Sequence, residues 1–422
     1  MTAGPRGNLF RLLNLQPGEP AKLLFLWCLY LLFTAATQIG DGVAQTLFLK
    51  RVGVQLLPVM FAVKAALDII VALLYVPLAA RLGHPATLTL ALALTGAGLL
   101  ALWLPAGRGV PLSYPAIYAW NEATATLLKI HWGVLLLDCF PVDDARRTFP
   151  LIYTGARAGA VLGGVALTAL ASPLGPENLL IVAAAVFLAA AALSLRVRRL
   201  TDGAGAEPMV RESAAGRIGN IRRGLTVGLR VPLLRAIAVS TLLMVVCRYG
   251  LRYRYSAAFA ASFGEAELAA FYGGYMVIAN GASVAVQLVV TSRLLVHSGI
   301  TQTNLGYAAA VLAAFAALGL WPGLVTAVVA RLVDNELKAA VKTPLSNLFY
   351  GVLDPRERAA GRAFILGLVV PLATAGASLL LFQRAALRHL PIWGGALALL
   401  FVGATWAQNR AYLRADRQRL GP

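Results

Sequence analysis

Apolar stretches long enough to cross a membrane recur along almost the whole chain, from Lys22 to Gln408. A helical span of a bilayer needs about 20 mostly apolar residues, so the pattern predicts transmembrane helices rather than a soluble core. The predicted spans are 22–40, 56–80, 87–105, 113–138, 149–171, 178–195, 233–259, 268–291, 301–321, 324–349, 360–383 and 392–408. The pattern therefore predicts an all-α polytopic membrane protein with about twelve helices.

One polar segment interrupts this pattern between the sixth and seventh spans. It covers residues 196–231 and contains eight arginines, which indicates a basic linker. We therefore predict an N-terminal six-helix half at 1–195, a cytoplasmic linker at 196–231 and a C-terminal six-helix half at 232–422.

The two halves align weakly with each other at an offset of about 212 residues, which indicates an internal repeat. This offset places Glu122 on Asp334 and Arg146 on Arg358. Two parallel six-helix repeats joined by a cytoplasmic loop resemble the major facilitator superfamily. That resemblance implies a substrate site near the middle of the membrane, where the halves meet.

Composition supports the membrane assignment, because 59% of residues are hydrophobic and only 13% are charged. Soluble domains carry about 25% charged residues. The net charge of +19 could indicate a nucleic-acid partner, but most arginines lie between the spans. With both termini cytoplasmic, 22 basic residues fall on the inner side and five on the outer side. This asymmetry predicts a multi-pass protein of a bacterial inner membrane, with the bilayer and not nucleic acid as its partner.

Features of enzymes and of metal sites are missing from the sequence. The three cysteines lie within or at the end of apolar spans, without a CxxC pattern or a neighbouring histidine pair. No HExxH, GxSxG or P-loop motif occurs. We expect no catalytic residues, no metal and no cofactor, and the first span rather than a cleaved signal peptide as the targeting signal.

Ten lysines and arginines fall inside predicted spans, and one of them, Arg235, lies near a cytoplasmic end. A charge at the centre of an isolated span costs roughly 2.5–3.5 kcal/mol, which predicts a shared hydrated cavity for the other nine. Six acids oppose these nine cations, so the surplus favours an anionic substrate. The expected substrate-binding residues are Lys64, Glu122, Lys129, Arg157, Arg248, Arg252, Arg331, Asp334, Lys338 and Lys342. The candidates for coupling or gating are Asp41, Asp68 and Asp138.

Helical spacing groups several of these charges on single faces, because residues three or four apart stack on one side of a helix. Span ten carries the longest such stripe, formed by Arg331, Asp334, Lys338 and Lys342. The alternative interpretation is structural ion pairing, since charges buried in membranes commonly pair. The pairs expected from spacing are Lys64 with Asp68, Asp334 with Lys338, and Glu122 with Lys129.

Two further features allow a functional and a structural interpretation. Gly155, Gly159 and Gly163 form a doubled GxxxG in span five, which serves either as a sliding contact for alternating access or as ordinary close helix packing. His131 in span four is either a proton relay or a hydrogen-bonded interior histidine.

Several segments resemble the nucleotide-transporter family that includes bacterial and plastid ATP/ADP translocases. They include residues 44–53 (AQTLFLKRVG), 120–122 (WNE), 145–149 (ARRTF) and 342–345 (KTPL). The resemblance implies exchange of a nucleoside triphosphate for a diphosphate, with membrane lysines and glutamates contacting the substrate. By position Glu122 matches such a glutamate. The sequence departs from the family in span 22–40, which has no lysine beyond its entry.

Three functions stay open at this point. The first is a secondary transporter that moves nucleotides or other anionic solutes by alternating access between the two halves. The second is a proton-coupled symporter or exporter of an unrelated solute, with Asp41, Asp68 or Glu122 carrying the proton. The third is a membrane scaffold or sensor, which the lack of any appended domain argues against. The expected partner is a small anionic solute, with a nucleotide foremost; the sequence is compatible with a monomer and does not specify the oligomeric state.

Overall fold

The computed structural model describes residues 19–140, 142–198, 225–285, 292–383, 387 and 389–420. Every regular element within these ranges is a helix. Most of the predicted linker, at 199–224, and the end of predicted span eight, at 286–291, lie outside the described residues.

Six long helices are described before the linker. They are α1 (Glu19–Leu47), α2 (Leu57–Leu82), α3 (His84–Gly107), α4 (Ser113–Cys139), α5 (Val142–Leu174) and α6 (Leu179–Ser194). A π-helical turn, Phe48–Val52, extends α1. The chain then turns at Gly53, whose φ of 101° lies in the region that glycine adopts without steric cost.

Six further helical regions are described after the linker. They begin with α7 (Pro232–Ser262), α8 (Glu265–Ala285) and α9 (Ser292–Leu320), which is kinked at Gly299. The next, α10, starts as the α-helix Leu324–Arg331, continues as a π-helix over Leu332–Lys342 and ends with Thr343–Phe349. The last two are α11, formed by Pro355–Phe364, Ile365–Val369 and Val370–Phe382, and α12 (Leu390–Leu420).

Nine of the helices among the described residues are long and apolar enough to cross a membrane. The other three predicted spans fall on α4, α8 and α10. Both α4 and α10 carry several of the charges that the sequence places in the membrane, which lowers their hydropathy. The predicted all-helical polytopic class is confirmed.

The described residues form two compact units. Unit 1 lies within Met1–Leu47, Asp68–Arg211 and Glu265–Gly281, and unit 2 within Phe48–Leu67, Glu212–Gly264 and Ala282–Pro422. Residues 48–67 and 265–281 thus each group with the unit that contains most of the other predicted half. The division into halves at 1–195 and 232–422 remains a prediction.

The same helix pairings occur inside each unit. In unit 1, α1 packs on α4, α5 and α6, while α3 packs on α4 and α6. In unit 2, α7 packs on α10, α11 and α12, while α9 packs on α10 and α12. Each pairing in unit 2 is the one in unit 1 advanced by six helices, as expected for the predicted repeat.

The doubled GxxxG of α5 packs against α1 inside unit 1. A Cβ atom at Gly155 would lie 2.6 Å from the Trp27 carbonyl oxygen, and one at Gly163 would lie 2.5 Å from that of Ala35. Gly159 faces the Leu31 carbonyl in the same way. Small residues let two helix backbones approach closely in this manner. The geometry therefore matches the structural interpretation, close packing within one unit.

This contact predicts that Gly159→Ala destabilises the protein. The added methyl group must push the α1 backbone away, and overpacking of this kind typically costs about 1–3 kcal/mol. The free energy of unfolding in detergent measures the effect. Gly133→Ala on α4 is the matched control, because a Cβ there meets nothing within 4 Å. Equal stability of the two variants would contradict the packing.

Candidate functional site

The most buried acid of the candidate set, Asp334 on α10, lies against α7. Its Oδ1 is 2.6 Å from Nε of Arg248, and its Oδ2 accepts a hydrogen bond of 3.0 Å from the Tyr255 hydroxyl. The Asp334 side chain is 1% exposed and that of Arg248 is 22% exposed. The Arg248 Nε–H is not aligned with the oxygen, so this contact is an ion pair without hydrogen-bond geometry. The predicted pairing of Asp334 with Lys338 is wrong, because the cation that neutralises Asp334 comes from another helix.

Aromatic rings of α7 extend this cluster to a second arginine. The Arg331 guanidinium lies 5.9 Å from the ring centroids of both Tyr255 and Phe259. An arginine at this distance from an aromatic face is stabilised by the ring quadrupole. Tyr255 therefore connects two predicted site residues, since its hydroxyl group binds Asp334 and its ring contacts Arg331.

Arg252 lies one turn further along α7, 5.7 Å from the Phe61 ring centroid. Phe61 belongs to the part of α2 that groups with unit 2. Arg248 and Arg252 are both partly buried. Their spacing of four predicts that they lie on the same face of the helix.

The π-helical segment of α10 changes how its charges are presented. Backbone N–H groups there bond to the carbonyl five residues back, as Thr343 does to Lys338, so each turn holds more residues than the 3.6 of an α-helix. Asp334 and Lys342 are buried, and Lys338 is partly exposed. The predicted stripe is therefore divided, with Asp334 contacting α7 and Lys342 contacting α9.

Lys342 is a buried cation that is held by neutral side chains. It is 5% exposed, and its Nζ donates a hydrogen bond of 2.6 Å to Oδ1 of Asn304 on α9. Asn304 Nδ2 donates to Asn409 Oδ1 on α12, and Asn409 Nδ2 donates to the Thr301 carbonyl. Among the described residues, no carboxylate lies within ion-pair distance of Lys342. Neutral amides thus hold this ammonium group without neutralising it.

In unit 1 the candidate residues are more dispersed. Arg157 on α5 donates from Nη1 to Asn280 Oδ1 on α8, at 3.0 Å. Asp68 on α2 accepts from Thr126 Oγ1 on α4 at 2.9 Å, and Asp41 accepts from Gln45 Nε2 at 2.7 Å. Each of these contacts joins a charged group to a neutral one.

Three predicted residues on α2 and α4 are at least partly exposed. Lys64 and Glu122 are partly exposed, and each has polar or electrostatic partners. Lys129 is exposed and makes no ion pair with Glu122 among the described residues, so that predicted pair is not formed.

A histidine cluster occupies the junction of α2, α3 and α4. The His84 Nδ1 atom lies 2.5 Å from Asp138 Oδ2. His131 is fully buried, with Nε2 2.8 Å from the His84 carbonyl oxygen and Nδ1 3.1 Å from the Tyr75 hydroxyl. Because a carbonyl oxygen can only accept, His131 carries its proton on Nε2 and can accept from Tyr75 at Nδ1. This geometry matches a hydrogen-bonded interior histidine.

Sequence reasoning missed the partners that hold these charges. Asn304 and Asn409 are neutral, so neither gave a charge signal in the sequence. Arg147 counted only toward topology, yet its guanidinium binds both Glu19 carboxylate oxygens, at 2.7 and 2.5 Å, and Asp144 at 2.8 Å. The one available signal was Glu19 itself, a lone acid at the start of the first span.

Solved structures similar to this chain include a POT family transporter in complex with 5-aminolevulinic acid, the nucleoside transporter NupG and a bacterial homologue of the human lysosomal transporter Spinster. The TM-scores are 0.63, 0.63 and 0.61, at sequence identities of 12%, 13% and 13%. The alignments cover 95%, 94% and 95% of this chain and 97%, 99% and 98% of those chains. The chain has the major facilitator fold.

No family sequence model and no curated protein matches the chain. Its similarity to known proteins is thus similarity of fold, and the narrower resemblance to ATP/ADP translocases stays a proposal.

The ion pair predicts strong coupling between Arg248 and Asp334. Removing one partner of a buried pair leaves an uncompensated charge and typically costs about 3–5 kcal/mol, whereas an apolar replacement of both is often nearly neutral. We expect Arg248→Met and Asp334→Leu each to lower the free energy of unfolding in mixed micelles, and the double variant to recover most of the loss.

Arg235→Met is the control for this cycle, because Arg235 lies exposed near the start of the same helix. It should change stability by less than about 1 kcal/mol. Additive effects of the two single substitutions would show that Arg248 and Asp334 do not interact.

Proposed function

We propose that the protein is a secondary active transporter that moves a phosphorylated or other anionic solute by alternating access. The major facilitator fold supports transport, since the similar solved structures are those of transporters. The buried charges support an anionic substrate. No sequence match identifies the solute.

The observation that carries the proposal is the uncompensated Lys342. An isolated ammonium group in a low-dielectric interior is strongly disfavoured unless an anion pairs with it. Arg248 forms an ion pair with Asp334, whereas Lys342 donates a hydrogen bond to the neutral amide of Asn304. A substrate anion that reaches this lysine would supply the missing charge and gain a charge-assisted hydrogen bond.

The surplus of cations extends beyond this residue. Within the predicted spans between residues 236 and 349, five of the expected substrate-binding residues are lysines or arginines, whereas those spans contain two acids, Asp334 and Glu336. A surplus of positive charge of this kind raises the local concentration of anions and favours their entry. The guanidinium groups of Arg248 and Arg252 would suit phosphate oxygens, which arginine binds in a bidentate manner.

Within this class we propose nucleotides as the substrate. The proposal rests on the resemblance of residues 44–53 and 342–345 to nucleotide transporters, and on Glu122 at a matching position. Nucleotide exchange would need no proton gradient, because the outgoing nucleotide drives entry of the other.

Proton coupling is a second candidate, favoured by one specific observation. His84 and Asp138 form a close, partly exposed pair in which a histidine nitrogen lies 2.5 Å from a carboxylate oxygen. A transporter that uses this pair would respond to a pH gradient and would gain nothing from internal nucleotide.

Uptake into proteoliposomes tests the proposal. We expect labelled ATP or ADP to enter wild-type vesicles, and unlabelled nucleotide inside to accelerate its entry. Lys342→Gln keeps a hydrogen bond to Asn304 and removes the charge. It should lower uptake about tenfold or more, since hydrogen bonds to charged groups contribute about 1.5–3 kcal/mol.

Arg235→Gln is the matched control and should transport as the wild type does. Wild-type activity of Lys342→Gln would exclude this lysine from the anion site. If neither ATP, ADP nor phosphate enters the vesicles, with or without nucleotide inside, the proposal of an anionic substrate is refuted. If an imposed pH gradient stimulates uptake and internal nucleotide does not, proton coupling is favoured.

A further inference from the structure

A cavity in unit 2 is lined by none of the candidate transport residues. Its volume is about 410 Å³, and it is formed by α7, the end of α9, the turn into α10 and the segment before α12. Its lining is mostly apolar and includes Ala257, Ala258, Leu318, Pro322 and Leu387. One charged side chain, that of Arg254, reaches it.

The Arg254 guanidinium group makes one hydrogen bond to the described part of the protein. Its Nη2 donates to the Leu318 carbonyl oxygen at 2.9 Å, and it is partly exposed. Among the described residues, no carboxylate pairs with it. A guanidinium group has five N–H donors, so most of its capacity is available to a ligand with several acceptor oxygens.

Exposed apolar side chains lie beside the cavity. Leu320, Trp321 and Val325 are 68%, 70% and 76% exposed, and they flank the turn that forms one wall. In a membrane-spanning chain, exposed apolar side chains contact lipid, and tryptophan is enriched at the level of the headgroups. By the predicted topology, every part of the cavity wall lies toward the outer side.

We propose that this cavity binds an anionic phospholipid, with the phosphate on Arg254 and part of an acyl chain along Ala257, Ala258 and Leu318. A phosphate supplies the oxygens that an arginine fork matches, and in an anionic lipid its charge is not offset by a headgroup cation, for which the described cavity lining has no carboxylate. The acyl chain covers the apolar lining. A soluble anion would satisfy the guanidinium but leave this lining uncovered. The site is independent of the transported solute.

Native mass spectrometry of the delipidated full-length protein tests this proposal, with phosphatidylglycerol and phosphatidylcholine as the added lipids. We expect wild type to bind phosphatidylglycerol more tightly than phosphatidylcholine. Arg254→Gln should lose roughly tenfold in affinity for phosphatidylglycerol, the range expected for a lost charge-assisted hydrogen bond. Arg235→Gln, on the same helix, should retain the wild-type preference.

A second variant tests the cavity without changing any charge. Ala258→Trp fills the space beside the arginine and should reduce phosphatidylglycerol binding while Arg254 is intact. Soluble glycerophosphate, added at the same concentration as the lipid, should not displace phosphatidylglycerol from the wild-type protein. Equal binding of the two lipids by wild type, an unchanged preference in Arg254→Gln or in Ala258→Trp, or full competition by glycerophosphate would each overturn the proposal.

Discussion

The ion pair between Arg248 and Asp334 shows the constraint that shapes this protein: charge inside a membrane must be compensated nearby. Asp334 tolerates almost complete burial because Arg248 and Tyr255 approach it from α7. The same constraint explains the aromatic contacts of Arg331 and the amide network around Lys342. Where compensation within the protein is incomplete, a ligand can complete it, and this is why we propose an anionic substrate.

Close backbone packing provides the frame for these charges. Helix α5 packs on α1 through glycines that leave no room for a side chain, and the related pairing of α7 with α11 occurs in unit 2. Between lipid-facing helices there is little hydrophobic driving force, so intimate contact and polar partners must hold the bundle. The repeated pairings also explain why a weak sequence repeat can persist, since each position needs only a compatible size and polarity.

The sequence predicts the helices and locates the charges within them, because length, hydropathy and charge are local properties. The structure buries Arg331, Asp334 and Lys342 among those charges and leaves Lys129 exposed. The sequence predicts poorly which partner each buried charge has. Spacing of four suggested Asp334 with Lys338, but α10 is π-helical there and Arg248 reaches Asp334 from another helix. Asn304 and Asn409 are decisive for Lys342, yet a neutral amide in an apolar stretch carries no signal of its role. Partners across helices depend on tertiary packing, which no local pattern specifies.

The central claim is that a negative charge on the solute is what the protein recognises. Uptake of adenosine, AMP, ADP and ATP by the same proteoliposomes tests this most directly, because the four share a base and sugar and differ in phosphate charge. The account predicts uptake of the phosphorylated solutes and none of adenosine above empty vesicles. Uptake of adenosine equal to that of the nucleotides would contradict it, because the buried cations would then have no part in recognition.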